Sequence, residues 1–126
     1  MNVGSVYGRA TAPEFGLYSA MKVGVGGLSP SIAVQYGVHR IRANTTSPGL
    51  VDGQQVRDVV ANFMDDVEGW AQNFSHTGQA LPKMIQSEDI GRIAVFLASN
   101  DPRSITGIDI PVDARALAQL SSRSSE

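Results

Sequence analysis

Tyr18 and Lys22 have the side-chain types and the spacing that proton-transfer chemistry requires. Residues four apart on a helix lie on the same face, so both side chains can approach one ligand. An ammonium group beside a phenol stabilises the phenolate and lowers the pKa of a phenol from about 10 towards the range of a general acid or base. Ser5 could add a hydroxyl donor to a carbonyl oxygen. In isolation, the pair also fits an ordinary solvated helix face without a function.

The composition limits the classes of protein to which the chain can belong. Its 126 residues are 42% hydrophobic and 17% charged, with a mean hydropathy of -0.07, which predicts one globular domain. A formal net charge of -2 supplies no positive field for a nucleic-acid backbone, so we expect no nucleic-acid partner. The absence of cysteine excludes a disulfide framework and favours a reducing, cytoplasmic location. No apolar stretch is long enough for a membrane span, so we expect no membrane partner.

Hydrophobic spacing predicts the elements that would carry this pair. Apolar residues recur at helical intervals from Tyr18 to about Tyr36, and Gly37 is expected to end that helix. Pro30 lies inside the helix and is expected to kink or end it, because proline removes a backbone hydrogen bond. A short strand is predicted at residues 41–46, closed by the Ser-Pro-Gly sequence that follows.

The rest of the chain alternates between helix and strand patterns. Apolar residues at intervals of three and four predict one amphipathic helix over residues 56–74. A further helix is predicted to begin with Ser87 as its N-cap and to run through Leu97. Residues 108–113 alternate as in a strand, and the proline within them suggests an edge or a strand end. Together with a strand remnant before Ser5, this order predicts an α/β fold whose parallel sheet is joined by right-handed crossovers.

Three segments of the chain are informative when they are taken together. Residues 2–22 (NVGSVYGRATAPEFGLYSAMK) place Ser5 thirteen residues before the Tyr of a Tyr-x-x-x-Lys pattern. Residues 41–53 (IRANTTSPGLVDG) combine a strand with a Pro-Gly turn. Residues 87–114 (SEDIGRIAVFLASNDPRSITGIDIPVDA) combine a helix, a Thr-Gly turn and a strand. In this order, the segments resemble the C-terminal half of the short-chain dehydrogenase/reductase family.

The resemblance implies an oxidoreductase that interconverts small-molecule alcohols and carbonyls by hydride transfer with NAD or NADP. It implies that Tyr18 is the general acid/base, that Lys22 promotes its ionisation and bonds the nicotinamide ribose, and that Ser5 polarises the substrate carbonyl. It also implies a partial Rossmann-like, doubly wound parallel sheet and a homo-oligomer. Residues of the Pro-Gly turn would line the nicotinamide pocket beside Tyr18 and Lys22, and these are Pro48, Gly49 and Val51.

The chain departs from the family pattern in the dinucleotide-binding segment. The family's Gly-rich turn, where backbone N–H groups and a helix N-terminus hold the pyrophosphate, is not found in the 126 residues. Gly24, Gly26 and Gly27 fall within the predicted Tyr-Lys helix, and we interpret them as sites of close helix packing. Gly53 and Ala114 stand where many members have Thr and Gly. We therefore predict a C-terminal half that lacks the N-terminal βαβ units and has little or no dehydrogenase activity alone.

A non-catalytic interaction or assembly module is the alternative. The strand that ends before Ser5 would lack its usual neighbour, and its unpaired backbone groups could pair with another copy or a longer relative. An unrelated α/β domain would require three ordered matches to arise by coincidence.

The expected organisation is a domain over residues 1–116 followed by a flexible tail over residues 117–126. Residues 50–86 are expected to form a substrate lid, although their apolar residues at helical spacing fit plain core packing as well. His39 and His76 have no third ligand at motif spacing, so no metal site is expected.

Overall fold

The computed structural model describes residues 1–118 of the chain. Strands and α-helices follow in the order β1 (Asn2–Val3), α1 (Gly16–Tyr36), β2 (Thr45–Pro48), α2 (Gln54–Ala61), α3 (Val67–Thr77), α4 (Ser87–Ala98) and β3 (Asp109–Val112). Short 3-10 helices cover Val6–Gly8, Gly37–His39 and Ala116–Ala118. Residues 119–126, most of the predicted tail, lie outside the described residues. None of the helices in the described part of the chain is long and apolar enough to cross a membrane.

A parallel sheet with the strand order β1-β2-β3 organises the described residues. Thr45 on the central strand pairs with Asn2 on β1 and with Asp109 on β3. A parallel sheet whose strands alternate with helices confirms the predicted α/β fold class. Because the strands run in the same direction, the loops that begin at Gly4 and Gly49 leave the sheet on the same side as the segment after β3. We call this side the carboxyl edge.

Polar contacts hold α1 against the sheet. The hydroxyl groups of Ser29 and Thr45 are 2.8 Å apart, and Asn2 Nδ2 donates to Ser29 Oγ at 3.0 Å. Ser29 and Ala33 are buried on either side of Pro30, and the helix continues through this proline to its last residue. Pro30, which was expected to kink or end the helix, does not end it, because tertiary contacts on both sides offset the lost backbone bond.

The prediction of one helix over residues 56–74 is also wrong, since this segment forms two helices. Asp66 is the N-cap of α3, and its Oδ1 accepts a hydrogen bond of 2.8 Å from the backbone N–H of Gly69. A short carboxylate side chain that caps a helix in this way favours a new helix start over continuation of the preceding one. The apolar spacing continues across residues 62–66, but the backbone helix does not.

β2 begins later and ends later than predicted. It starts at Thr45 and includes Ser47 and Pro48, which were expected to close it. The backbone N–H of Thr45 donates at 2.8 Å to Ile108, directly before β3, and that of Gly49 donates at 2.9 Å to Val112, the last residue of β3. The backbone N–H groups of alternate strand residues point to opposite neighbouring strands, so the Pro48 nitrogen points towards β1. Because β1 has already ended at this level, the missing N–H of Pro48 costs no ladder bond.

Two helix ends differ in detail from the predictions. Gln86, and not Ser87, is the N-cap of α4, because the Asp89 carboxylate accepts the Gln86 backbone N–H at 2.9 Å in a capping box. Gly37 follows the last residue of α1, as predicted, but its φ is -58°, which is not the left-handed conformation, and a 3-10 turn follows. Arg40, with φ of 61°, is the left-handed residue that ends the turn.

Candidate active site

Ser5 lies at the carboxyl edge immediately after the end of β1. Its side chain is buried, and its Oγ accepts a hydrogen bond of 3.2 Å from the backbone N–H of Tyr7. Gly4 lets the chain reach this position, because a Cβ there would lie 2.5 Å from Ser47 Oγ and 2.9 Å from Thr45 Cγ2. The end of β1 and the middle of β2 can therefore approach this closely only with glycine at position 4.

Tyr18 and Lys22 lie on adjacent turns of α1, as their spacing predicts. Lys22 Nζ is 5.6 Å from the centre of the Tyr18 ring and donates a hydrogen bond of 3.2 Å to the backbone oxygen of Val3. Tyr18 is 39% exposed, so its ring is accessible to a ligand. Lys22 thus joins the predicted acid/base residue to the strand end that precedes Ser5. Gly8 permits this packing, because a Cβ there would lie 3.2 Å from the backbone oxygen of Lys22.

Tyr18 belongs to an aromatic cluster with Tyr7 and Phe15, which hydrophobic spacing alone does not predict. The ring centres of Tyr7 and Phe15 are 4.7 Å apart, and those of Tyr7 and Tyr18 are 5.8 Å apart in an edge-to-face arrangement. Phe15 also meets Tyr18 edge to face at 6.2 Å. Such pairs add to the stability that burial provides and hold the rings in defined orientations. The sequence does contain an indication of this cluster, because Tyr7 and Phe15 both lie in the segment that joins β1 to α1.

The Pro-Gly turn lies at the same carboxyl edge, after β2. The backbone N–H of Gly49 donates to Val112 at 2.9 Å, and a Cβ at Gly49 would lie 2.9 Å from Asp113 Cα. Val51 forms an isolated parallel bridge with Ile85. The predicted nicotinamide-pocket residues Pro48, Gly49 and Val51 are therefore held against the segments that follow β3 and precede α4.

A charged cluster, which we call the Arg57 clamp, follows the Pro-Gly turn and consists of Asp52, Arg57, Glu68 and Gln86. Arg57 donates to both Asp52 oxygens, at 2.6 and 2.9 Å, and to Glu68 Oε2 at 3.0 Å. Gln86 Nε2 donates to Asp52 Oδ2 at 3.3 Å. The Arg57 hydrogen bonds hold the pKa of the Asp52 carboxyl below its usual value, against the opposing effect of burial. The same bonds raise the pKa of Arg57.

The nicotinamide and pyrophosphate parts of a dinucleotide fit the described residues unequally. Tyr18, Lys22 and the Pro-Gly turn supply polar groups and a partly open surface for the nicotinamide end. Gly24, Gly26 and Gly27 lie inside α1, whose backbone N–H groups bond within the helix, so they do not form a pyrophosphate turn.

The interpretation of these glycines as close packing sites is wrong. A Cβ at Gly24, Gly26 or Gly27 would meet nothing within 4 Å.

Both histidines are exposed, and among residues 1–118 no three His, Cys, Asp or Glu side chains are grouped to hold a metal ion.

Comparison with known proteins gives consistent matches over most of the chain. Residues 1–114 match the family described as Enoyl-(Acyl carrier protein) reductase. The chain is 38% identical over 104 residues to the (-)-trans-carveol dehydrogenase of Rhodococcus erythropolis. This match covers 77% of this chain and 38% of that protein.

Solved structures match at the level of the fold. A short chain dehydrogenase family protein from Francisella tularensis matches with a TM-score of 0.82 and 27% identity, over 93% of this chain and 50% of that one. The structure described as ElxO with NADP bound matches with a TM-score of 0.80 and 26% identity, over 94% of this chain and 46% of that one. The chain spans between 38% and 43% of the length of three curated relatives that it matches.

Proposed function

The chain belongs to the short-chain dehydrogenase/reductase family, and we propose that it supplies the catalytic half of an enzyme that interconverts alcohols and carbonyls. The observation that carries this proposal is the position of Lys22, with its Nζ 5.6 Å from the centre of the Tyr18 ring and hydrogen-bonded to the end of β1. Ser5 follows that strand end within two residues. The three side chains that proton transfer requires therefore come from neighbouring parts of the fold.

Each of the three residues has a distinct role in the proposed reaction. Tyr18 exchanges a proton between its Oη and the substrate oxygen. Lys22 places a positive charge beside the ring, which stabilises the anion that remains after Tyr18 has donated its proton. Because Ser5 Oγ accepts from the Tyr7 N–H, its own proton is directed away from that bond and can be donated to the substrate carbonyl oxygen.

NAD or NADP would supply the hydride when bound. Tyr18 and Lys22 would hold the nicotinamide ribose, and the backbone around Pro48, Gly49 and Val51 would contact the nicotinamide ring. The described residues offer no Gly-rich turn for the pyrophosphate. We therefore propose that these 126 residues bind the nucleotide weakly and turn over little substrate by themselves.

The proposed substrate is a small-molecule alcohol or carbonyl. One matched relative is named for an alcohol, carveol, and this supports the class without selecting a compound. The region over residues 50–86 is proposed to cover the substrate, since both of its ends are held at the carboxyl edge: the Asp52 N–H donates to Ile85 at 2.7 Å, and the Ala80 N–H donates to Ala114 at 3.0 Å. The cytoplasmic location and the absence of a nucleic-acid partner stay predictions from composition.

Self-association is proposed as a further property. Large apolar side chains on α1 are at least 48% exposed in this chain: Leu17, Met21, Val23, Leu28 and Val34. Burying such a surface against a second copy would remove apolar area from water.

The assembly-module alternative rests on β1, an edge strand of the described sheet whose Val3 side chain is 50% exposed. A sizing measurement distinguishes the two modes of association. Charged substitutions on α1 should abolish a helix-mediated dimer, whereas a proline at Val3 should abolish edge pairing.

The proposed chemistry is testable in a chimera that joins the amino-terminal part of the Rhodococcus carveol dehydrogenase to residues 1–114 of this chain. We expect NAD(P)-dependent turnover of an alcohol, and Tyr18→Phe should lower the rate by about 10²–10⁴-fold because the proton donor is lost. Tyr36→Phe is the matched control, since it removes a hydroxyl from the last residue of the same helix. A Tyr18→Phe chimera that binds nucleotide and keeps its rate would contradict the proposal.

A further inference from the structure

The apolar residues of α2 are at most half-buried in this fold. None of its eight residues, Gln54–Ala61, is buried. Val59 is 53% exposed, and Phe63, two residues beyond the end of the helix, is 81% exposed. By contrast, α3 buries Ala71 and Ser75. Val56 and Val60 are only half-buried, so hydrophobic burial alone holds α2 weakly, and polar contacts add to it.

The Arg57 clamp supplies these contacts. Arg57 makes two parallel hydrogen bonds to Asp52, whose side chain is only 14% exposed, and a third to Glu68 on α3. Two parallel bonds between guanidinium and carboxylate fix orientation as well as distance. Asp52 is itself anchored, because its backbone N–H donates to Ile85 at 2.7 Å and its Oδ2 accepts from Gln86. Arg57 thus connects α2 to α3 and to Asp52, and Asp52 in turn contacts the segment that precedes α4.

We propose that Arg57 is a positioning residue that holds α2 against the carboxyl edge beside Val51. Val51 is one residue before Asp52 and is bridged to Ile85, so the ion pair orients α2 relative to a residue of the proposed nicotinamide pocket. The assignment of this pocket rests on the proposed function, whereas the mechanical role of Arg57 does not. Arg57 contacts no reacting atom in this scheme and acts through the placement of α2.

Hydrogen exchange of the intact 126-residue chain, without nucleotide, tests the role of Arg57 directly. In Arg57→Gln, we expect the backbone amides of α2 to exchange about five to ten times faster, while those of β2 and β3 keep their rates. Arg57→Lys should give partial rescue, because an ammonium group keeps the charge but cannot form two parallel bonds. Arg9→Gln is the matched control, since it removes another Arg–Asp ion pair, to Asp109, with the same change in charge.

A double-mutant comparison separates the clamp from a general loss of stability. Asp52→Asn should accelerate exchange in α2 by less than Arg57→Gln does, because Arg57 keeps its bond to Glu68, and the double variant should be no faster than Arg57→Gln alone. Equal acceleration in α2 and in the sheet, unchanged exchange in α2, or the same effect in Arg9→Gln would each overturn the proposal. Because the readout needs no turnover, its failure is distinct from a failure of the Tyr18 test.

Discussion

Replacing Gly49 with alanine should destabilise the chain although it adds only one methyl group. A Cβ at this position would lie 2.9 Å from Asp113 Cα, 3.1 Å from Asp113 Cβ and 3.2 Å from Ile85 Cδ1. Carbon atoms pack favourably at about 3.5–4.0 Å, so the turn after β2 and the segment after β3 must separate by roughly half an ångström or more. The end of the Ile85 side chain can move, but the nearest atom of Asp113 belongs to the backbone.

That backbone is firmly held. Asp113 is 5% exposed, and its carboxylate accepts the backbone N–H groups of Arg115 and Leu117 at 2.9 and 3.0 Å. Separation would also stretch the 2.9 Å hydrogen bond from Gly49 N–H to Val112. Overpacking of this kind costs about 1–3 kcal/mol, a substantial part of the roughly 5–15 kcal/mol by which native domains are stable.

Urea unfolding at neutral pH measures this loss as a fall of roughly 1 M in the midpoint. Gly24→Ala is the matched control, because a Cβ there meets nothing within 4 Å and alanine favours a helix interior. We expect the control to raise the free energy of unfolding by about 0.5–1 kcal/mol. If Gly49→Ala is as stable as the original chain, or if both variants shift in the same direction, the close approach of the two segments is refuted.

Three other predictions concern stability. Ala114 and Arg115 have φ of 48° and 64°, so glycine at either position should raise the free energy of unfolding by about 0.5–1 kcal/mol in urea titrations, and no gain would contradict the inferred strain. Ser29→Ala should lower the free energy of unfolding by about 1–3 kcal/mol, because the buried Thr45 and the half-buried Asn2 each lose a hydrogen bond, and an unchanged midpoint would contradict this. The pKa of Asp52 is held below its unfolded value of about 3.9 by hydrogen bonds from Arg57, so its contribution is present above about pH 4 and is lost as the pH falls through the lower folded pKa. Asp52→Asn should therefore be less stable than the original chain near pH 7 and should approach it below about pH 4, and a gap that stays constant with pH would contradict this sign.

The pairing of Tyr18 with Lys22 could be predicted because it depends on one local rule. A helix places residues four apart on one face, and α1 is helical throughout this region. The position of Ser5 could not be derived from periodicity, because the serine and the tyrosine are separated by a loop and a 3-10 helix. It was predicted from the resemblance of the whole segment.

The features that the sequence pattern predicted wrongly or missed depend on contacts that local spacing does not describe. These are contacts between residues distant in sequence, or hydrogen bonds from a side chain that caps a different helix. Apolar spacing over residues 56–74 carries no information on Asp66, whose side chain caps a new helix. The Arg57 clamp joins Asp52 to Gln86, 34 residues further along the chain, and only the folded backbone brings them together. Likewise, Pro30 is tolerated inside α1 because of burial against the sheet, which local propensity does not include.

A double-mutant cycle between Ser5 and Tyr18 tests the central claim most directly. In the chimera described above, we expect Ser5→Ala and Tyr18→Phe each to lower kcat/KM by at least about tenfold. The double variant should lose less than the product of the two losses, because both side chains act on the same substrate oxygen. A single-variant chimera that binds nucleotide and retains the original rate would contradict a shared catalytic site. A double variant whose loss in kcat/KM equals the product of the two single losses would contradict it as well.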